Sequence, residues 1–515
     1  MSSLARSEVR LAELVASMSL ATDLGLGQPP EHVLRSCVLG LRIAEDLELG
    51  EDQRAVVYYV ALLAWLGCHA DAHEQSAWFG DDIHLRADRH LADSVGARFV
   101  LSHVGRGRPP ARRAAQLGAL LISGRDALAA METTHCMVAG LFAVRLGLGV
   151  EVRDGLQHVF ERWDGKGSPA GIAGEEIALS ARIAVVADIV ESFRRLGGTA
   201  AAVDVARRRA GGQFDPRLAD RVCENADALF SGLDEATGWD AAIAAEPALT
   251  GRMSGVELDA ALEAIADFAD LKSPYTTGHS RGVALLAESA ALRAGLGEPA
   301  AAELRRAGLL HDVGRIGVSN AVWDKPGALS ETEMERVRMH PYLTQRTFSR
   351  SPRLAALAEV AAAHHERLDG SGYPRGLAGG ALSPEARILA AADAYQAMGE
   401  LRPHRPARSP EDAARQLREE VRRGRLDADA VDAVLGAAGH RVARRRDGPA
   451  GLTQREVEVL VLLARGLSNK AIAAQLVVSP KTVGSHIEHI YRKIGCSTRA
   501  AASLFAMQHG LLPEL

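Results

Sequence analysis

Seven side chains in the middle of this 515-residue chain could together hold metal ions: His279, the adjacent pair His311-Asp312, His340, the adjacent pair His364-His365, and Asp393. Imidazoles and carboxylates without sulfur suit first-row ions such as iron, manganese, nickel or zinc, and the carboxylate of an adjacent His-Asp pair can bridge two of them. Two bridged ions lower the pKa of a bound water and clamp a phosphodiester for in-line displacement. Any one of these histidines alone would more often be a core or surface group. Only the seven together point to a metal centre.

A comparison inside the chain singles the set out. Phe160-Glu161-Arg162-Trp163-Asp164-Gly165-Lys166-Gly167-Ser168-Pro169 lines up with His365-Glu366-Arg367-Leu368-Asp369-Gly370-Ser371-Gly372-Tyr373-Pro374. The same offset carries Arg182-Ile183 onto Arg387-Ile388, Asp188 onto Asp393 and His135 onto His340. Upstream, a larger offset pairs His32 with His279 and Leu49-Gly50-Glu51 with Leu296-Gly297-Glu298, so the earlier copy holds an inserted segment. Where the later copy reads His311-Asp312 the earlier reads Ala64-Trp65, and where it reads His364-His365 the earlier reads Val159-Phe160. His32, His135 and Asp188 remain, but without the bridging aspartate a metal pair is not expected there. Cys68-His69-Ala70-Asp71-Ala72-His73, with Asp81-Asp82 and His84, reads as a solvated polar loop in the inserted segment, or else as a separate metal or ligand site.

The elements that must position these groups are helices. Apolar positions recur at helical spacing, as in Val283, Leu286, Ala287, Ala290 or Leu354, Leu357, Ala358, Ala361, while alternating β-branched runs are scarce. The fold class expected is all-α. The length permits about three domains, and periodicity fades over Gly238 to Gly251 and Gly439 to Gly451, both of which read as linkers. The expected domains are therefore 1–245, 250–438 and 450–515.

A charged fraction of 24% and a net charge of −5 exclude a disordered or strongly basic chain. The apolar run Val56 to Cys68 is too short to span a bilayer. The N-terminus, with Arg6, Glu8, Arg10 and Glu13, lacks the apolar stretch of a signal peptide. No membrane partner is expected, and the location is expected to be cytoplasmic. Five scattered cysteines without a CxxC pair suit a reducing compartment and argue against disulfides or a thiolate zinc site.

The blocks GHSRGV (278–283), LLHDVGRIGV (309–318), KPGALSETE (325–333), HHERLDGSGYP (364–374) and ARILAAADAYQAM (386–398) resemble the HD-GYP family, the branch of HD-domain phosphohydrolases that cleaves cyclic di-GMP. The likeness covers about 255–436, and its HHExxDGxGYP block is highly specific. It implies two tandem HD-domain-like bundles, the earlier one degenerate. It also implies two divalent metal ions, one held by His279, His311, Asp312 and Asp393, the other by Asp312, His340, His364 and His365. Tyr373, Arg402 and Arg405 match family positions that contact the cyclic dinucleotide. Tyr275 stands where three-metal members have a glutamate, which favours a two-metal site. Arg315 stands where the family has a lysine near the scissile phosphate; arginine keeps the charge but is bulkier and a poorer proton donor. His404 replaces a tyrosine, with little consequence expected.

Residues 450–515 carry a capping box, Thr453-Gln454-Arg455-Glu456, a stop at Gly466, a cap at Ser468 and a third helix opened by Ser479-Pro480. The string LTQREVEVLVLLARGLSNKAIAAQLVVSPKTVGSHIEHIYRKIG resembles the LuxR-type helix-turn-helix, which implies a four-helix DNA-binding domain with a recognition helix in the major groove. By that likeness Leu460, Ala464, Ile472, Ala473, Leu476, Val483, Ile487 and Ile490 form its core. Lys481, Thr482, Ser485, His486, His489 and Lys493 then face outward, and with Lys470 they form the expected DNA-binding set. The whole reads as a transcription regulator, expected to be a homodimer, in which an HD-GYP domain binds or hydrolyses cyclic di-GMP or a related nucleotide and controls DNA binding. The alternatives are a nucleotide sensor with negligible turnover, motivated by Arg315, and a phosphohydrolase of another nucleotide.

Overall fold

The structure, a computed structural model, describes residues 8–92, 97–105, 109–233, 238–247, 251–441, 449–509 and 511. Residues 1–440 form one compact unit and 441–515 a second. The chain is all-α. A two-residue antiparallel ribbon, β1 (Val9–Arg10) against β2 (Arg252–Met253), joins the start of the first half to the start of the second.

The first half comprises α1 (Leu11–Leu26), α2 (His32–Asp46), α3 (Glu51–Leu63), α4 (Ala72–Phe79), α5 (Asp82–Leu91), α6 (Ala97–His103), α7 (Pro110–Arg145), α8 (Val150–Gln157), α9 (Leu179–Arg209), α10 (Pro216–Glu224), α11 (Ala226–Phe230) and α12 (Gly238–Ala244). The second comprises α13 (Gly255–Asp270), α14 (His279–Arg293), α15 (Glu298–Leu310), α16 (Asn320–Trp323), α17 (Glu331–Arg338), α18 (His340–Phe348), α19 (Pro352–Ala361), α20 (Pro384–Met398), α21 (Pro410–Arg422) and α22 (Ala428–Ala437). Apolar spacing explains them. Leu258, Ala261, Leu262, Ile265 and Ala269 recur at three- and four-residue steps and line the buried face of α13. One apolar core runs through both halves. Phe142 of α7 meets Phe268 of α13 with ring centroids 5.6 Å apart.

Two expectations are corrected. The stretch from Gly238 is not a bare linker: α12 buries Trp239 and Ala242, which sit three residues apart on one helical face, and Tyr58 donates to Ala242 O at 3.1 Å. Nor is the segment around Cys68–His84 a solvated loop. His69 is buried edge-on to Phe268, its Nε2 3.2 Å from Phe268 O, and Asp82 is buried against Lys272, Ser319 and Asn320. Its partners come from the other half of the chain, so its own polar sequence could not show them. Residues 442–448, within the second expected linker, lie outside the described residues.

The second unit holds α23 (Gln454–Ala464), α24 (Asn469–Leu476), α25 (Pro480–Lys493) and α26 (Arg499–Gln508). The capping box forms as expected, Thr453 Oγ1 accepting from Glu456 N and Glu456 Oε2 from Thr453 N. Leu460, Ile472, Ala473, Val483 and Ile490 are buried, with Ala464, Leu476 and Ile487 packed half-buried against them.

Candidate metal centre and nucleic-acid interface

His279 opens α14, where Asp270 fixes the helix start by accepting from Ser280 N at 2.9 Å and Ser280 Oγ at 2.7 Å. His311-Asp312 follows α15. His340 opens α18, and the two segments approach so closely at Gly314 that a β-carbon there would lie 2.0 Å from His340 O. Thr344 Oγ1 closes this contact, donating to His311 O and accepting from Gly314 N, both at 2.9 Å. His364-His365 follow α19, and α20 carries Asp393. Gly372 lets the loop after His365 fold back on Glu366, whose oxygens accept from Arg375 N and Leu377 N.

All seven expected donors converge. Asp312 Oδ2 lies 3.7 Å from His279 Nε2 and 3.6 Å from His311 Nε2, while Oδ1 lies 3.4 Å from His340 Nε2 and 3.7 Å from His364 Nε2. Asp393 Oδ1 is 3.3 Å from His279 Nε2, and Oδ2 is 3.8 Å from His365 Nδ1. Donors that share an ion at about 2.1 Å stand about 3 to 4 Å apart, so the spacing fits coordination. His279, His311 and Asp312 form one group of suitable geometry, and His340, His364 and His365 another.

The rings are turned for it. His311, His340 and His364 place Nδ1 on the carbonyls of Gly308, Val337 and Ala361 at 2.7, 2.6 and 2.6 Å. Each carbonyl needs a donor, so the proton stays on Nδ1 and the Nε2 lone pair faces the cavity. His311 Nε2 is buried without a hydrogen-bond partner. Burial, with the imidazoles of His311 and His340 beside it, pushes His364 down to about 3. Burial would raise Asp312, but His311, Arg315 and His340 hold it well below the carboxylate range. Burial opposes protonation of His279 too, yet hydrogen bonds to Asp393 and Glu400 lift it to about 10. A divalent cation among these carboxylates would take that proton's place.

Arg315 lies over the centre, its Nη1 3.0 Å from Asp312 Oδ2 and its Cζ 3.9 Å from the ring centroid of Trp323. The Tyr373 ring stands 4.7 Å from that of His365. Arg402 donates to Glu400 at 2.7 Å and to Tyr275 O at 3.3 Å. Arg405 caps the end of α20, donating to Ala397 O at 2.5 Å and to Met398 O and Glu400 O. Sequence reasoning missed Glu400, which holds His279 Nδ1 at 2.9 Å, and Trp323. A carboxylate two residues before Arg402 was the only signal for the former.

In the first half, His32 Nε2 pairs with Asp188 Oδ1 at 3.0 Å and Nδ1 with Glu191 at 2.5 Å. Trp65 and Phe160, with ring centroids 5.8 Å apart, pack around His135, whose Nε2 is bonded to Ala64 O at 2.7 Å. Among the described residues no donor group able to hold a metal lies in this half, including the inserted segment.

In the second unit Lys470, Lys481, Thr482, Ser485 and His489 are exposed and His486 is half-buried. Lys493 is exposed as well, and it donates to Glu456 Oε2 at 2.8 Å and Gly451 O at 3.1 Å. Its charge could be read from sequence, but its partner thirty-seven residues away could not.

The sequence matches the HD domain family over residues 144–218 and 263–430, and the luxR family of bacterial regulatory proteins over 450–506. It is 33% identical over 444 residues to the 3'3'-cGAMP-specific phosphodiesterase 3 of Vibrio cholerae, covering 84% of this chain and 96% of that protein. A cyclic di-GMP phosphodiesterase of Thermotoga maritima is 36% identical over 158 residues, 30% of this chain and 43% of that one. The crystal structure of the V. cholerae cyclic GMP-AMP phosphodiesterase V-cGAP3 superposes with a TM-score of 0.59 at 28% identity, covering 84% of this chain and 99% of that chain.

Proposed function

The chain belongs to the HD-GYP family of HD-domain proteins with a LuxR-type helix-turn-helix domain attached, and on that footing we propose that its second half hydrolyses a 3'3'-cyclic dinucleotide and thereby governs DNA binding by α23–α26. The observation that carries the reading is Asp312, whose two oxygens each face a different pair of imidazoles. His279, His311, Asp312 and Asp393 would hold one ion, and Asp312, His340, His364 and His365 the other. Two bound divalent ions would supply charge against the phosphate and an acidified water. Arg315 and Arg402 offer the phosphate guanidinium donors, and the Tyr373 ring offers a flat apolar wall beside His365. Relatedness over nearly the whole V. cholerae enzyme supports 3'3'-cGAMP as the first substrate to test; cyclic di-GMP, named for the Thermotoga relative, is the second.

The first half fits a degenerate copy that lends structure. Asp23 accepts from Val33 N as Asp270 does from Ser280 N, and Glu161 closes its loop as Glu366 does. The cyclic dinucleotide and DNA partners of this reading place the protein in the cytoplasm; no single helix among the described residues is long and apolar enough to cross a membrane. A homodimer would supply the paired recognition helices that two half-sites require. A second reading, a nucleotide sensor with negligible turnover, draws on Arg315, held to the bridging carboxylate itself.

Full-length protein loaded with manganese or iron should open 3'3'-cGAMP or cyclic di-GMP to a linear dinucleotide, read by chromatography. Tight binding under chelation with no turnover in any metal would favour the sensor; neither binding nor turnover would remove both readings.

A further inference from the structure

The second half does not position its own centre unaided. α16 is four residues long, Asn320–Trp323, too short to stand as a helix without external support. The inserted segment of the first half holds both its ends. At the N-terminal end, the fully buried Asp82 accepts from Ser319 Oγ at 2.6 Å and Asn320 N at 2.8 Å through Oδ1. Its Oδ2 faces Arg86 Nη2 at 3.1 Å and Lys272 Nζ at 3.5 Å, so the carboxylate is charged and fixed. At the C-terminal end, Asp324 Oδ2 pairs with His73 Nδ1 at 2.9 Å and accepts from Asn320 Nδ2 at 2.7 Å; Oδ1 accepts from Ser273 Oγ at 2.7 Å.

Trp323 carries this anchorage to the chemistry. Its ring lies under the Arg315 guanidinium, its indole N–H donates to Arg315 O at 3.3 Å, and it meets the His340 ring edge-on at 5.4 Å. Arg315 in turn reaches the bridging Asp312. A guanidinium held by its face keeps its N–H edges free for carboxylate and phosphate, whereas the long side chain alone would have to be ordered at each encounter. A lysine ammonium, compact and without a flat face, gains less from such a platform.

Resting on the phosphodiesterase reading above, we propose that Asp82 and His73 of the first half are positioning residues for Arg315, acting through α16 and Trp323. The inserted segment is then a part of the active site built in cis, which accounts for its burial against the second half.

The test compares full-length His73→Ala, Asp82→Asn and Trp323→Leu, each also made in an Arg315→Lys background, by hydrogen exchange of peptides covering 315–325, bound metal, and kcat and KM on 3'3'-cGAMP. Exchange should rise about tenfold in 319–325 for His73→Ala and Asp82→Asn. The kcat of all three single variants should fall about tenfold at unchanged metal content. In the Arg315→Lys background the same substitutions should change kcat less than about twofold, because the stack no longer matters. Unaltered exchange in His73→Ala and Asp82→Asn overturns the proposal, as does an equal loss of kcat in both backgrounds. Should Asp82→Asn exchange throughout, having lost its fold, the half-exposed His73 decides. If the wild type turns over neither cyclic dinucleotide, the phosphodiesterase reading fails by itself and exchange at 315–325 alone judges the anchorage.

Discussion

Glu400 accepts a hydrogen bond from His279 Nδ1 at 2.9 Å, on the side of the ring opposite the Nε2 that faces Asp312 and Asp393. Such a carboxylate fixes the tautomer and raises the basicity of a metal-binding imidazole. Glu400→Gln should weaken one of the two ions by about 10- to 100-fold and leave the other in place, measured by competition with a chelating dye. Equal weakening of both, or of neither, would contradict this role.

Arg315→Lys should raise the saturated rate on a cyclic dinucleotide without tightening its binding, since lysine brings a compact proton donor to the leaving oxygen. The measurement is kcat beside an equilibrium dissociation constant under chelation. A lower kcat would show that the guanidinium is the better group here.

The first half gives a pH signature independent of metals. Burial lowers His135 to about 4, whereas an unfolded chain titrates near 6.5. The unfolded state therefore binds more protons between these values, so the stability contributed by neutral His135 is full above about pH 6.5 and is lost as the pH falls toward 4. His135→Leu, which keeps an apolar group beside Trp65 and Phe160, should lose about 2 kcal/mol less than wild type between pH 8 and pH 5 in denaturant titrations of metal-free protein. Parallel loss in both proteins would rule the histidine out as a source.

In the second unit, Lys470→Ala and Lys481→Ala should each weaken binding to every DNA sequence and reduce the salt slope by about one. Thr482→Ala or His486→Ala should instead shift which sequence is preferred. Lys493→Ala should lower the melting temperature of the domain, because its ammonium ties α25 to the capping box of α23 at Glu456. Footprints of full-length protein with and without 3'3'-cGAMP read both layers: none in either state refutes DNA reading, and identical ones remove nucleotide control.

The candidate metal ligands were legible because their chemistry is rare and because the chain offers its own contrast, Ala64-Trp65 against His311-Asp312. The helices followed from apolar spacing. What stayed hidden depends on partners far apart in sequence. Glu400 lies past the end of α20, so helical spacing from Asp393 does not place it. Asp82 and His73 look like any polar loop until Ser319, Asn320 and Asp324 are brought to them. Arg405 could be read as a charge, but not as the group that caps the end of α20. Charge and spacing identify what a side chain can do; the chain's distant contacts decide which of those things it does.

The central claim is that Asp312 bridges two ions, and metal analysis of purified full-length protein beside His311→Ala/Asp312→Ala tests it most directly. The wild type should carry about two divalent ions per chain, and the double variant, still helical by circular dichroism, should carry almost none and hydrolyse no cyclic dinucleotide. Restoring Ala64→His and Trp65→Asp in the first half should create no activity. Full metal content in the folded His311→Ala/Asp312→Ala protein would contradict the account.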